Sequence, residues 1–241
     1  MIMKFWNWVK NESGRTLYLE GYIAQESWWD DEVSPKQFKE ELEENEDDII
    51  VWINSPGGDV FAAAQIYNMI KEYKGKVTVK IDGLAASAAS VIAMSGDEVL
   101  MSPVAMMMVH NPATIVWGEE TDMKKGIEML SEVKESIINA YEQKTGLSRN
   151  KISHMMDRET WMSAKRALDL NFCDRILYSE DDAVLSDAVT NGFIFDKATV
   201  TNSLASKLSK TKSSQPAKGQ TFNDKSKTKA DQLFKRLELL K

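Results

Sequence analysis

Two apolar runs, Ile49–Ile53 and Val77–Ile81, each lead through a glycine-bearing turn into a helix-compatible stretch, and this pairing restricts the fold most. Ile49-Ile50-Val51-Trp52-Ile53 is uninterrupted and rich in β-formers, which suits a strand covered on both faces, as in a parallel sheet. The turn after it, Asn54-Ser55-Pro56-Gly57-Gly58-Asp59, carries adjacent glycines that permit positive φ and let bare N–H groups face a ligand oxygen. Val60 to Tyr73 then has Ile66, Met69, Ile70 and Tyr73 at helical spacing, with Gly75 as the expected stop. The same alternation recurs along the chain. Arg15 to Ile23 reads as a strand, Ser34-Pro35 as a helix start continued by Lys36 to Glu44, and Ser87 to Ser95 as a helix ending at Gly96. Val99–Met101 and Ala105–Val109 supply two further strands, so the pattern predicts an α/β domain with a parallel sheet.

Chemistry concentrates at two strand ends. Asp82-Gly83-Leu84-Ala85-Ala86-Ser87-Ala88-Ala89-Ser90 puts a serine among small residues where a strand meets a helix. There the hydroxyl sits at a helix N-terminus, which favours developing negative charge, and the small neighbours let a substrate backbone come close. Met106-Met107-Met108-Val109-His110-Asn111-Pro112 is a strand ending in histidine before a proline-marked turn. The chain has two histidines, and His154 falls in a polar helical stretch from Asn150 to Arg158, where a solvated surface role is the expectation. A serine hydrolase built here therefore has His110 as its imidazole. Gly83-Leu84-Ala85-Ala86-Ser87 does not fit the Gly-x-Ser-x-Gly elbow, which argues against an α/β-hydrolase.

Taken in order, these segments resemble the Clp protease proteolytic subunit family, from about Leu17 to Tyr178, with the nearest likeness to divergent members encoded beside phage capsid genes. Asn54-Ser55-Pro56-Gly57-Gly58 matches the family's glycine motif, Gly83 through Ala88 its nucleophile segment, and Val109-His110-Asn111-Pro112 its histidine segment. Glu159-Thr160-Trp161-Met162-Ser163-Ala164 matches the segment that carries the third triad member. The resemblance implies Ser87 as nucleophile, His110 as general base, and the N–H groups of Gly58 and Ala88 as the oxyanion hole. It implies a Clp/crotonase-like ββα spiral with a long handle helix, and a serine endopeptidase acting on proteins or peptides, of the phage prohead maturation kind. Better-known members place an aspartate where this chain has Glu159. Asp157, two residues earlier, is the rival acid, because in an extended segment both would share one face. A Ser-His dyad without either carboxylate is the third option.

Glu119 to Lys144 predicts a long charged helix with Met123, Ile127, Leu130, Val133, Ile137, Ile138 and Tyr141 at three- and four-residue steps. Such a stripe is either intrachain core or an oligomer contact. In the resembling family this helix is the handle through which two heptameric rings stack, which would enclose the serines in a chamber.

At 241 residues, the chain has room for one core of about 180 residues plus an appendage. The expected division is an N-terminal segment 1–14, a protease domain 15–200, a basic flexible linker 201–229 and a short amphipathic helix 230–241. From Thr201 onward, ten Lys/Arg face three acids, a formal +7 that leaves −14 for the rest. That tail reads as a disordered extension or as a docking tag for an acidic partner such as a phage capsid or scaffold protein. No aromatic platform accompanies its lysines, which disfavours nucleic acid. The sequence has no apolar run of about 18 residues, so no membrane span is expected. One cysteine, Cys173, excludes an intrachain disulfide and fits a cytoplasmic protein. With two histidines, one cysteine and no phosphate loop of the Walker type, neither a metal nor another cofactor is expected. Trp6, Trp8, Trp28 and Trp29 do not match the family's axial-loop sequence, which puts dependence on a Clp ATPase in doubt. Two competing functions share the scaffold: a crotonase-type acyl-CoA enzyme, to which Ser87 and His110 would be superfluous, and a non-catalytic assembly protein.

Overall fold

The computed structural model describes residues 4–11, 14–23 and 35–178. The expected linker 201–229, the helix 230–241, the helix-start residue Ser34, and Trp28 and Trp29 lie outside these residues. Within them is a mixed α/β fold. Its main sheet runs β1 (Trp6–Asn11), β2 (Gly14–Ile23), β3 (Ile49–Gly58), β4 (Val77–Ala86), β5 (Glu98–Met101) and β8 (Arg175–Ile176), and β6 (Met106–Val109) links β4 to β7 (Thr160–Ser163). The helices are α1 (Pro35–Leu42), α2 (Val60–Lys71), α3 (Ala88–Ala93), α4 (Glu120–Thr145), α5 (Arg149–Asp157) and α6 (Ala164–Asp169).

The parallel sheet predicted from the alternation is present from β2 through β5, β6 and β8, but two pairs are antiparallel, β1 with β2 and β6 with β7. Coverage of the central strands is also less even than their apolar runs suggest. Ile49, Val51 and Ile53 are buried, whereas Ile50 and Trp52 on the other face are only half-buried, and Lys80 Nζ stands 5.4 Å from the Trp52 ring. Period-two side chains explain this: one face meets the helices and the other remains partly open.

β1 was not foreseen, and its aromatic residues show why it forms. Trp6 is buried and packs edge-to-face on Phe38 of α1, with ring centroids 5.3 Å apart. Its indole N–H donates to Glu41 at 2.7 Å. Trp8 lies under the buried Arg15 guanidinium at 4.2 Å. Arg15 in turn donates to the carbonyls of Leu42 (3.1 Å) and Glu41, groups that the end of α1 leaves without helical partners. The segment 1–14 thus contributes a strand to the same sheet.

Helix ends also depart from their expected residues. α2 starts on Asp59, whose carboxylate accepts from Ala62 N at 2.8 Å, and closes at Lys71 with Glu72 as its cap, not at Gly75. Gly75 instead lies where a Cβ would come within 2.5 Å of the Asp47 carbonyl, against the loop that feeds β3. α2 buries Ala62, Ala63, Ile66 and Ile70 in the hydrophobic core. Trimming Ile66→Ala removes three carbons from a fully buried site and should cost about 2–5 kcal/mol, read from chemical denaturation midpoints. A loss below about 1 kcal/mol would mean that α2 does not pack as described.

Candidate active site

β4 is one strand with two successive neighbours. Residues 78–81 pair with β5, and residues 84–86 pair with β6. The change of partner falls at Asp82-Gly83, where a Cβ on residue 83 would lie 2.7 Å from Asn54 Oδ1 and the Asn54 side chain would have to move. Ala86 pairs with Met108, and Ser87 N donates to the Met108 carbonyl at 2.9 Å. His110 follows two residues later, and its Nε2 lies 2.7 Å from Ser87 Oγ. The two residues singled out in the sequence therefore meet at hydrogen-bond distance across adjacent strand ends.

Ser87 carries φ 55° and ψ −127°, a conformation that L-residues seldom adopt. Strain of this kind costs on the order of 1–3 kcal/mol and persists only where neighbours over-determine it. Here three bonds hold it: Ser87 N to Met108 O, Ser90 N to Ser87 O at 2.9 Å, and Ser90 Oγ to Ser87 O at 2.6 Å. The glycine turn supplies the remaining wall. Gly57 and Gly58 have φ of 98° and 155°, and a Cβ on Gly57 would come within 2.8 Å of Ser87 Cβ and 2.7 Å of the Ala86 carbonyl. Ser55 Oγ, bonded to Gly21 O at 2.6 Å, accepts from Gly57 N at 3.1 Å and fixes the turn.

The two rival carboxylates separate cleanly. Val109 pairs with Thr160 in the antiparallel β6–β7 ladder, and one further step along that register sets His110 against Glu159. Glu159 Oε2 lies 4.0 Å from His110 Nδ1, outside direct hydrogen-bond range, and its other oxygen accepts from the Trp161 indole at 3.2 Å. The chain is not extended between the two acids: α5 ends at Asp157, and Glu159 has φ 48°. Asp157 is tied instead to α4 and to Asn111. It accepts from Lys134 Nζ at 2.6 Å and Asn111 Nδ2 at 2.9 Å, and the Lys134 bond holds its carboxyl below the usual range. His154 is well exposed, as expected of a solvated residue. Cys173 is buried, and desolvation pushes its thiol up to about 12, which leaves it inert as a nucleophile.

Ser87 and His110 open into a cleft of ≈ 320 Å³ between the glycine turn, the start of α2 and α4. Phe61, Val91, Met129, Leu130 and Val133 give it apolar walls. The segment after His110 forms its rim and is held on α4 where Val116 fills the space a side chain on Gly126 would need. Three contributors were not legible in the sequence: Trp161, Ser90 and Tyr141. Trp161 stands two residues after Glu159, so the spacing on β7 was the available signal for that pair. Ser90 and Tyr141 are 51 positions apart, and no local pattern connects them.

Gly57→Ala tests how closely the glycine turn sets the nucleophile. Its added methyl must displace the Ser87 segment, and a shift of about 1 Å should lower any Ser87-dependent turnover about 100-fold. Turnover within threefold of the unmodified chain would show that the turn does not set the position of Ser87.

Comparison with known proteins follows the same residues. The Clp protease family model matches residues 15–180. The ATP-dependent Clp protease proteolytic subunit 1 of Chlamydia muridarum (strain MoPn / Nigg) is 36% identical over 138 residues, covering 56% of this chain and 72% of the relative. The protein of the same description from Chlamydia pneumoniae is 33% identical over 146 residues, covering 59% and 76%. That of Protochlamydia amoebophila is 31% identical over 138 residues, covering 56% and 67%. With a strand-end serine and histidine in contact and a family match across most of the described residues, the chain belongs to the Clp protease family, a family of peptidases.

Proposed function

We propose that this chain is a serine endopeptidase of the Clp proteolytic-subunit type, with Ser87 as nucleophile, His110 as general base and Glu159 as the orienting acid. The observation that carries the reading is the 2.7 Å approach of His110 Nε2 to Ser87 Oγ at the mouth of an apolar cleft. With the Nδ1 proton directed toward Glu159, Nε2 is free to accept the Ser87 hydroxyl proton as Oγ attacks a peptide carbonyl. The oxyanion that forms is received by the N–H groups of Gly58 and Ala88, one from the glycine turn and one from the first residue of α3. The imidazolium then protonates the leaving amine, and water, activated by the same nitrogen, releases the acyl group from Ser87.

Glu159 serves in place of the family's aspartate. Its longer side chain reaches His110 from an exposed turn, and the 4.0 Å gap tightens once substrate covers the ring. Asp157 is committed to Lys134 and Asn111, and the reading gives it no catalytic part.

The handle helix supports self-assembly. Its C-terminal half enters the core through Ile137, Ile138 and Tyr141, whereas Met123 and Ile127 in its N-terminal half are exposed. Trp117 and Ile115, just before it, are 88% and 81% exposed, a cost that a second copy of the chain would remove. The proposed assembly is a heptameric ring or stacked pair of rings in the cytoplasm. Its proposed substrates are phage prohead proteins, a role supported by the sequence resemblance and by the basic tail beyond the matched region. A Clp ATPase is the other partner that the family brings into consideration.

Peptide hydrolysis by the purified full chain tests the catalytic assignment. Ser87→Ala and His110→Ala should each lower kcat by about 10⁴-fold or more. Glu159→Gln should lower it by at least about tenfold, and Asp157→Asn should stay within about threefold. The reverse order for the two acids would assign the triad to Asp157. For the assembly, Ile127→Glu should move the chain to smaller species in analytical ultracentrifugation. An unchanged sedimentation profile would place the contact elsewhere.

A further inference from the structure

We infer that Tyr141 and Ser90 are positioning residues that aim the oxyanion-binding peptide from the handle helix. The inference rests on the catalytic role proposed for Ser87 and Ala88, and extends it to two side chains that touch no reacting atom. Ser90 is fully buried in α3, and Tyr141, in the C-terminal half of α4, is 1% exposed. Their oxygens are 2.8 Å apart, and Ser90 Oγ is 2.6 Å from the Ser87 carbonyl.

The direction of this chain of bonds follows from counting protons. A serine hydroxyl has one, and the Ser87 carbonyl can only accept, so Ser90 spends its proton there. The bond between the two hydroxyls must then run from Tyr141 O–H to Ser90 Oγ. Burial pushes the Tyr141 phenol above its ordinary value, which keeps that proton in place at any working pH. Tyr141 therefore holds Ser90, and Ser90 holds the carbonyl of the peptide joining Ser87 to Ala88.

That peptide has its other end in the proposed oxyanion site. A peptide unit is planar and trans, so its C=O and N–H point in opposite directions, and fixing one aims the other. Hydrogen bonds onto the carbonyl also polarise the unit and strengthen its N–H as a donor, by about 10–30% per bond. A serine bonding back to the carbonyl three residues earlier is common in helices and often has no consequence. Two observations set this case apart. The carbonyl belongs to a residue held at φ 55°, where the peptide would otherwise relax, and the hydroxyl is gripped by a side chain 51 residues away that also lines the cleft. The handle helix, whose other half is exposed, is thereby coupled to the geometry of the nucleophile.

The test uses the full chain with Ser90→Ala, Tyr141→Phe, the double variant and Ser90→Thr. A fluorophosphonate titrates active sites, and its labelling rate and peptide hydrolysis are then measured per titrated site. Ser90→Ala should lower kcat and labelling rate about tenfold and Tyr141→Phe about threefold, with KM within twofold and the pH profile unmoved. The double variant should be no slower than Ser90→Ala alone, because both act through one carbonyl. Ser90→Thr, which restores a hydroxyl, should recover part of the loss. A purely structural pair would lower the melting temperature and the titratable fraction while leaving rates per site unchanged. That result in Tyr141→Phe, the mildest change, overturns the inference and leaves the protease reading standing. If the unmodified chain does not label at all, the protease reading fails and this inference fails with it.

Discussion

The arrangement depends on the two edges of β6. One edge pairs in parallel with residues 84–86 of β4, and the other pairs antiparallel with β7. Because side chains alternate with a period of two, a slip by one residue in either ladder would take Met107 and Val109, both fully buried, off the face they share. The registers that bury these residues also bring Ser87 beside His110 and set Glu159 opposite it. Core packing and site geometry are here consequences of the same hydrogen-bond ladders. The position of the imidazole needs no flexible loop to hold it.

Around this frame, two of the described non-glycine residues with positive φ fall at the candidate site, and others, Asn171 and Tyr178, lie elsewhere. Ser87 and Glu159 both have positive φ, and the glycines at 57 and 58 lie against backbone that no side chain could share. Such conformations are unfavourable and last only where burial and hydrogen bonds outweigh them. The Ser87 backbone has its N–H on Met108 and its carbonyl on two groups of Ser90. Preorganisation of this kind means that little rearrangement is needed when charge develops. The proposed acid is less constrained. Glu159 is well exposed and steadied by one indole, whereas the neighbouring Asp157 has been drawn into a tie with Lys134 of the handle helix.

Much of this was readable from residue order, for identifiable reasons. Ile49–Ile53 and Val77–Ile81 announce strands because uninterrupted β-formers have few alternatives, and the glycine pair and Ala/Ser-rich turn mark where backbone must come close. Ser87 and His110 stood out because each ends such a strand. What escaped was set by tertiary contact. β1 has no alternation strong enough to name it, and forms because Trp6 finds Phe38 and Trp8 finds Arg15. β7 is four residues long and gains its identity from β6. The choice between Asp157 and Glu159 was undecidable by spacing, since an extended segment would have presented both alike. It is the helix end at Asp157 and the turn at Glu159 that part them. The long helix was equally ambiguous, with one stripe serving the core at its C-terminal end and lying exposed at the other.

The central claim is that strand register delivers an imidazole to the Ser87 hydroxyl and thereby makes it a nucleophile. Peptide mapping by mass spectrometry after exposure to a fluorophosphonate addresses this most directly. The account predicts a single adduct on Ser87 that forms at least about 1,000-fold more slowly in His110→Ala. An adduct on any other residue, or equal labelling of Ser87 without the imidazole, would contradict it.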